Sequence, residues 1–507
     1  MKFIFSVGLI MILNCILTAQ KYDHIWLLGY GSEDPMYVPK FGFSFLKFGA
    51  NSLEIEYQLK GNERADNWLN YVNVSNQEGE FAFYTNGACV FNRNHEVMVN
   101  GDTLNPGSIW NGYEGYTYPV QNGSIVLPHP ADDQKFVIIH KGLKLGGTVK
   151  EGYNYSDVLY YSIVDMTLEG GLGAVTTKNR VLIRDTLNKS QTAACRHANG
   201  RDWWIPIRHG VYNLYYLFLL DPSGIHLHHQ QAIGLAGPGP GDTFNGNACF
   251  SPDGTKYASC LREDHAQIFD FDRCTGWFSN PVHLYPRDSM NYATSVCFSP
   301  NSRFLYFNDV YRLWQYDLSK RYIQESEVLV AVWDTFYFQD MFGTAFFQTR
   351  LAPDDRIYMS IFGSSNIYLH RVNRPDEKGK ACNFIQRDVA LPNYHSGILP
   401  YFPNFKLGPL VGSSCDSLYR VDLGKSFLVS PNPVREYLHI EFLYEYPFRI
   451  NYEFELFNLQ GVRTFYKELD NSTRTHQVPT EQLPDGMYLY RIVSEGVTYQ
   501  SGKIFKG

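Results

Sequence analysis

The chain has 507 residues, and its 44 basic residues are outnumbered by 51 acidic ones, which gives a net charge of −7. This balance argues against a nucleic-acid-binding surface, because such surfaces need a basic excess. Charged residues make up only 19% of the chain and aromatic residues 16%, a composition that excludes a disordered polymer. Because Tyr and Phe favour strands, the composition indicates an all-β protein.

The first segment of the chain, 1–19, is typical of a secretory signal peptide. Lys2 precedes an apolar run that ends at Leu17, and Ala19 is a small residue suited to cleavage before Gln20. The run is shorter than the ~20 residues that a membrane span needs, and no later stretch is long and apolar enough to span. The sequence therefore predicts an exported chain with no transmembrane segment.

A turn motif repeats through the middle of the chain. Its three clearest copies each precede an apolar, aromatic strand, and they are Cys249–Gly254, Cys297–Ser302 and Arg350–Asp355. The prolines at their centres, Pro252, Pro300 and Pro353, are 48 and 53 residues apart. Periods of about 40–50 residues with short strands are typical of β-propeller blades.

One blade can be followed strand by strand. The predicted strands are Asn247–Ser251, Lys256–Leu261, Gln267–Phe271 and Trp277–Leu284, separated by Gly, Pro and Asp turns. Looser copies upstream bring the count to six, and the first strands after Ile25 together with Gly397–Leu407 would complete one more. We therefore predict a propeller over 20–412 with seven blades, six or eight being the alternatives.

The cysteines follow the same register. Cys195, Cys249 and Cys297 occupy one repeat position on successive blades, where sheets ~10 Å apart are too far from one another for a disulfide. We therefore predict buried thiols at these three positions. Cys382 and Cys415 flank the predicted closing segment and are the candidate disulfide.

A second domain follows a polar linker at 413–426. Residues 427–507 contain short alternating strands and turns, which predict a small, Ig-like β-sandwich. The marked motif residues are Pro431, Asn432, Pro433, Gly461, Pro484, Gly486, Lys503 and Lys506. In this order they resemble the type A C-terminal sorting domain of the type IX secretion system of Bacteroidota. The resemblance implies that the secretion machinery is a partner, and that the product is held on the cell surface or released.

The larger domain resembles a group of exported, WD40-like (PD40-like) propeller proteins of the same phylum. The residues that carry this resemblance are His24–Gly29, Glu80–Gly87, Val90–Met98 and the Phe-Ser-Pro-Asp-Gly repeats. It covers most of 22–410 and implies a fold rather than an activity.

Motifs for metal, phosphate or nucleophile chemistry are not found: the sequence has no His-Glu-x-x-His, no Cys-x-x-Cys, no Gly-x-Ser-x-Gly and no phosphate loop. We predict no metal site, no cofactor and no catalytic residues. Propellers bind ligands at the mouth of the central channel, where the innermost strands begin. The polar residues at those starts are the candidate binding residues Gln121, Asn122, Gln191, Asn245, Asn247, Thr294 and His395.

Two functions remain open from the sequence. The favoured one is a secreted or surface-displayed recognition protein that binds a glycan or a protein without altering it. The alternative is a secreted hydrolase or lyase whose active site lies at the channel mouth. The two differ in whether carboxylates converge in the channel, because glycoside hydrolysis uses a carboxylate pair ~5–10 Å apart.

Overall fold

The computed structural model describes residues 20–30, 41–49, 52–59, 70–113, 117–146, 153–237, 246–261, 265–287, 293–363, 365–413, 415, 427–442, 451–470, 473–494 and 497–507. The chain separates into two compact units, Met1–Gly408 and Pro409–Gly507. Each unit is built almost entirely of strands. The all-β prediction is confirmed.

In its described part, the first unit contains seven sheets of three or four antiparallel strands. The first sheet is β1 (Ile25–Tyr30), β2 (Gly42–Phe48) and β3 (Leu53–Gln58), and the second is β4 (Val72–Ser75), β5 (Phe81–Thr85) and β6 (Val90–Asn92). A short helix, α1 (Ser108–Gly112), follows. The third sheet is β7 (Ser124–His129), β8 (Asp132–Gly146), β9 (Tyr153–Asp165) and β10 (Ala174–Leu187).

The next two sheets contain the clearest sequence repeats. The fourth is β11 (Cys195–Arg196), β12 (Trp203–Arg208), β13 (Leu214–Asp221) and β14 (Gly224–Ala232). The fifth is β15 (Ala248–Phe250), β16 (Lys256–Leu261), β17 (His265–Phe271) and β18 (Phe278–Leu284). The four strands predicted for this blade are confirmed, with their ends shifted by no more than two residues.

Two further sheets complete the set. The sixth is β19 (Ser295–Phe298), β20 (Phe304–Asn308), β21 (Arg312–Asp317) and β22 (Val328–Val332). A separate hairpin of β23 (Tyr337–Phe338) and β24 (Phe342–Gly343) precedes the seventh sheet of β25 (Phe346–Leu351), β26 (Ile357–Ile361), β27 (Asn366–Val372) and β28 (Phe384–His395). Single turns of 3-10 helix lie at Glu169–Gly171, Ile323–Ser326 and Gly379–Cys382.

The repeated turn between the first and second strands of a sheet is held by its serine. Ser251 Oγ donates to Asp253 Oδ1 (2.6 Å) and accepts from the backbone N–H of Lys256 (2.9 Å). Gly254, at a φ of +72°, leaves no room for a side chain, since a Cβ would lie 2.7 Å from Arg273 Cδ. In the next copy of the turn, Ser299 Oγ donates to Asn301 Oδ1 and accepts from the Phe304 N–H. The residues repeated in the sequence therefore make the same hydrogen bonds in each turn.

Ring closure differs from the prediction at one point. The predicted strand at Gly397–Leu407 does not form, because Pro400 and Pro403 lack the N–H groups that a strand ladder needs. The segment nevertheless packs against β1, with Ile398 beside Leu27 in one apolar cluster and Leu399 in another. The seven described sheets agree with a propeller-like fold, and the number of blades stays a prediction.

Neighbouring sheets are tied together by buried polar side chains. Asn247 Nδ2 donates to the Val296 carbonyl (2.9 Å), and Asn247 Oδ1 accepts from the Val296 N–H (2.7 Å). Asn73 makes the same pair of bonds to β1. Between the last and first sheets, Asn393 Nδ2 donates to the Gly42 carbonyl (2.8 Å). Each asparagine thus satisfies backbone groups of a neighbouring sheet.

The second unit has two sheets around one apolar core. One contains β29 (Phe427–Ser430), β30 (Tyr437–Phe442) and β33 (Thr475–Pro479), and the other contains β31 (Asn451–Phe457), β32 (Arg463–Asp470), β34 (Gly486–Ser494) and β35 (Val497–Lys506). Leu438, Phe454 and Ile492 are fully buried between them. This is the two-layer arrangement of the predicted β-sandwich.

The asparagine ties can be tested by substitution. Asn247→Ala leaves the N–H of buried Val296 without a partner and its carbonyl with only the weak thiol donor of Cys249, so we expect the free energy of unfolding to fall by about 1–3 kcal/mol. Gln230→Ala on the outermost strand β14 is the matched control, because its side chain is exposed, and it should change stability by less than ~0.5 kcal/mol. Urea unfolding followed by tryptophan fluorescence measures both, and equal effects would refute the assignment.

Candidate binding face of the propeller

The two ends of the first unit differ in what they present. Because strands alternate in direction, the loops that follow second and fourth strands lie at the end where the first strands β7, β15, β19 and β25 begin. We call this end the strand-start face. The repeated Ser-Pro-Asp-Gly turns lie at the opposite end, the turn face. The predicted binding residues belong to the strand-start face.

Most of those predicted residues are bonded within the protein. Asn122 Oδ1 accepts from Arg350 Nη2 (2.6 Å), and Thr294 Oγ1 donates to the Asn308 carbonyl (3.1 Å). Gln191 Nε2 donates to the Cys260 carbonyl, and Asn247 makes the tie to Val296 described above. Asn245 lies outside the described residues. As ligand contacts, these side chains stay predictions, and their structural bonds already use much of their hydrogen-bonding capacity.

His395, the remaining candidate, is almost completely buried at the end of β28. Its Nε2 donates to the Tyr368 carbonyl (3.0 Å), and its Nδ1 accepts from the Gly397 N–H (3.1 Å). Burial lowers the pKa of His395 to about 4. The imidazole is therefore neutral near pH 7 and holds the chain leaving the last sheet.

Two of the predicted residues do line an opening. Gln121 and Thr294 border a cavity of about 180 Å³ together with the apolar side chains of Val310, Phe347 and Phe362. Gln121 is half-buried, and the Phe362 ring is 40% exposed. The cavity on the strand-start face therefore combines the Gln121 amide with aromatic rings, whereas the Thr294 hydroxyl is already bonded to Asn308 and Phe347.

Exposed aromatic side chains are concentrated on the same face. Those in its loops and strand ends are Tyr212, Tyr285, Tyr311, Phe336, Tyr337 and Phe362, each at least 40% exposed. Trp277 and Tyr322 are comparably exposed in turns of the opposite end. Large rings are normally buried, so their collection on one face makes that face the candidate binding surface.

The hairpin between the sixth and seventh sheets organises this aromatic surface. Trp333 stacks on Tyr311 with ring centroids 5.6 Å apart, and Tyr337 meets the Trp333 ring edge-on at 5.5 Å. Arg387 lies 4.4 Å from the Phe336 ring and pairs with Asp334. These contacts fix the rings before any ligand arrives. We call Tyr311, Trp333, Phe336 and Tyr337 the aromatic platform.

Sequence reasoning missed the aromatic platform, although a signal for it exists. The Pro300–Pro353 step is 53 residues, five more than the 48 of Pro252–Pro300. The longer step includes a segment rich in Trp, Phe and Tyr at 333–343 that belongs to no blade strand. An insertion of aromatic residues between two repeats indicates that these residues lie on the surface of the propeller rather than in its core.

The cysteine predictions have mixed outcomes. Cys195, Cys249 and Cys297 are free thiols, as predicted, and Cys195 and Cys297 are buried, whereas Cys249 is only partly buried. The predicted Cys382–Cys415 disulfide is wrong, because Cys382 is a free and fully buried thiol, whereas Cys415, like Cys274, is disulfide-bonded. Cys382 belongs to the apolar cluster of the sixth and seventh sheets, where its packing keeps it from a partner outside that cluster.

In the second unit, the structure brings the first and last sequence motifs together. Asn432 Nδ2 donates to the Lys503 carbonyl (2.9 Å), and Asn432 Oδ1 accepts from the Phe505 N–H (2.9 Å). Its neighbours Pro431 and Pro433 both follow cis peptide bonds. Lys506 lies beside Val434 in an isolated parallel bridge. The Pro-Asn-Pro motif therefore anchors the end of the last strand.

The turn motifs of this unit have local roles. Gly461 adopts a φ of +77° in a turn closed by Asn458, whose Oδ1 accepts from the Val462 N–H (2.9 Å). The Pro484 carbonyl accepts from the Tyr488 hydroxyl (2.8 Å). Gly486 begins β34 at a φ of +148°. These residues shape turns between strands.

The fold and these motifs define an exported all-β protein with a propeller-like body and a C-terminal sorting domain. Residues 428–506 match the secretion system C-terminal sorting domain family. The tail is therefore a type IX sorting domain, which directs the chain to the cell surface or the extracellular space. Among the described residues, no helix is long and apolar enough to cross a membrane, and no group of three His, Cys, Asp or Glu side chains could hold a metal ion.

Solved structures similar to the chain are distant. A putative 6-phosphogluconolactonase from Bacteroides uniformis is 10% identical with a TM-score of 0.42, covering 73% of this chain and 97% of that one. A functionally unknown Desulfotomaculum acetoxidans protein is 10% identical with a TM-score of 0.35, covering 74% and 98%. A periplasmic gluconolactonase from Pseudomonas aeruginosa is 11% identical with a TM-score of 0.35, covering 74% and 97%. No curated protein sequence matches the chain. Identities near 10% transfer no activity.

The buried state of His395 predicts a pH dependence of stability. The pKa of His395 is about 4 in the folded chain, against 6.5 for an ordinary histidine. Between pH 6.5 and 4, the His395 imidazole is therefore protonated in the unfolded chain but neutral in the folded one. The free energy of unfolding should therefore fall between pH 6.5 and 4, and less steeply in His395→Gln than in the wild type. Urea midpoints at several pH values measure this. His226→Gln, on the exposed side of β14, should keep the wild-type slope.

Proposed function

We propose that the mature protein is a carbohydrate-recognition module displayed or released by type IX secretion, and that it binds its ligand on the strand-start face without altering it. A signal peptide at 1–19, a propeller over 20–412, a linker at 413–426 and a sorting domain over 427–507 would complete its organisation. We also propose the WD40-like (PD40-like) assignment of the propeller and an origin in Bacteroidota.

The single observation that carries this proposal is the asymmetric exposure of aromatic rings. A flat ring can cover the apolar face of a sugar, while nearby amides and hydroxyls bind its hydroxyl groups. The aromatic platform supplies such rings, and Gln121 and Thr294 border the adjacent cavity. Because Trp333 is stacked on Tyr311, little ordering free energy opposes binding there.

Charge supports a neutral ligand at the platform. Arg387, the cation nearest the Phe336 ring, is paired with Asp334. The pairing with Arg387 lowers the pKa of Asp334, so the carboxylate stays ionised and the pair stays formed. A neutral polysaccharide therefore suits the surface better than a strongly charged one.

Two tyrosines make a matched test of the binding face. Tyr337 on the platform is 50% exposed, and Tyr322 on the opposite end is 60% exposed. We expect Tyr337→Ala to weaken polysaccharide binding by at least tenfold, the loss of about 1.5 kcal/mol from one stacked ring, while Tyr322→Ala binds as the wild type does. A glycan array identifies the ligand, and isothermal titration calorimetry measures both variants.

The other possible outcomes contradict the proposal in distinct ways. Equal losses in both variants would place the ligand elsewhere. Capture of a defined surface protein, with no glycan bound, would make the ligand a protein. New reducing ends or unsaturated products in the polysaccharide would establish the alternative, a hydrolase or lyase acting at the same mouth.

A further inference from the structure

A second feature of the channel concerns a buried arginine rather than the strand-start face. Arg350 lies in β25 and is 4% exposed. Its Nη1 donates to the Thr349 carbonyl (2.9 Å) and its Nη2 to Asn122 Oδ1 (2.6 Å). Its Nε has no hydrogen-bond partner within the described part of the chain.

The charge of Arg350 is not balanced by an anion of the protein. Both acceptors of its N–H groups are neutral, and no carboxylate among the described residues pairs with it. The guanidinium instead lies 5.3 Å from the centre of the Tyr401 ring. Burial lowers the pKa of Arg350, but a guanidinium remains charged in proteins. An isolated buried charge costs several kcal/mol unless something pairs with it.

A cavity of about 150 Å³ adjoins this arginine towards the turn face. Its wall includes Arg350, Thr349, Asn247 and a second cation, Arg196. The volume is about five times the ~30 Å³ share of one water molecule. The cavity could therefore hold a small ligand group but not a polymer chain.

The remaining wall sets the charge of the cavity. Burial raises the thiol pKa of Cys195 and Cys249 to about 12 and also raises that of Cys297, so all three thiols are neutral. Two carboxyl groups, Asp23 and Asp355, line it as well, together with Lys406. Burial raises the pKa of Asp23 to about 6, against an opposing effect of Lys406. Three cations thus face two carboxyl groups, and among the described residues no carboxylate forms an ion pair with Arg350.

We propose that this cavity is a binding site for a small oxyanion, a carboxylate or phosphate group, held by the guanidinium of Arg350. Arginine is the side chain best suited to such groups, since its fork of N–H donors matches their oxygens. The site goes beyond the proposed carbohydrate function, because it uses neither the aromatic platform nor its cavity. Loss of one site would leave the other intact.

The site is tested with the full-length chain and two probe anions, inorganic phosphate and acetate, at constant ionic strength set with chloride. We expect a saturable rise in Tm with at least one probe, because a ligand that binds only the folded state stabilises it. Isothermal titration calorimetry gives the Kd. A response to phosphate alone or to acetate alone identifies the oxyanion, and a response to neither overturns the proposal.

Variants separate binding from a structural role of the arginine. Arg350→Met should weaken anion binding at least tenfold and leave the anion-free Tm unchanged or higher, because it removes an unbalanced buried charge. Arg321→Met, which removes the same charge from an exposed position, should keep the wild-type response. A lower anion-free Tm in Arg350→Met, or an unchanged response to the probe, would overturn the proposal.

A second variant keeps the test informative if Arg350→Met does not fold. Asn122→Asp replaces the amide that accepts from Arg350 Nη2 by a carboxylate. Residue 122 has a φ of +48°, which aspartate tolerates. This internal partner should raise the anion-free Tm and reduce the shift caused by the probe. A variant that is destabilised, or that responds to the probe as the wild type does, would contradict an oxyanion site on Arg350.

Discussion

The backbone of the innermost strands imposes the constraint on which the rest of the propeller unit depends. Those strands have a neighbour on one side only, so their other N–H and C=O groups face the channel rather than a ladder. The protein satisfies them with side chains from the next sheet, as Asn247 does for Val296. In the same way, Gln348 accepts from the Leu399 N–H (3.1 Å) in the closing segment.

This constraint gives a structural explanation for the polar residues at the strand starts, which the sequence alone predicts to be ligand contacts. A ring of amides and hydroxyls is expected both for a ligand site and for an edge that must be satisfied internally. The structure shows the second use at Asn247. Asn122 and His395 are also engaged inside the protein, with the Arg350 side chain and the Tyr368 carbonyl. The proposed ligand contacts therefore rest on groups that the edge does not need. Exposed aromatic rings are such groups, because they contribute nothing to backbone hydrogen bonding.

The sequence predicts the fold well where the information is local. A Ser-Pro-Asp-Gly turn is held by hydrogen bonds of its own serine and by the positive φ of its own glycine. The strands of the blade around Cys249–Gly254 could therefore be predicted one by one. Side-chain partners are different, because they join distant parts of the chain: Asn122 and Arg350 are 228 residues apart. Cys382 shows the same limit: its position beside the predicted closing segment suggested a bridge to Cys415, but Cys382 is a free thiol buried in an apolar cluster.

The motifs of the sorting domain follow local rules as well, with one exception that matters. Gly461 and Gly486 lie in turns formed with their neighbours in sequence. Asn432, in contrast, hydrogen-bonds to the backbone of Lys503 and Phe505 at the far end of the domain. The first motif thus holds the last strand in place, and a chain truncated before Lys503 would lose both partners of Asn432. A domain whose two ends bind each other reaches its final structure only after the whole chain is present.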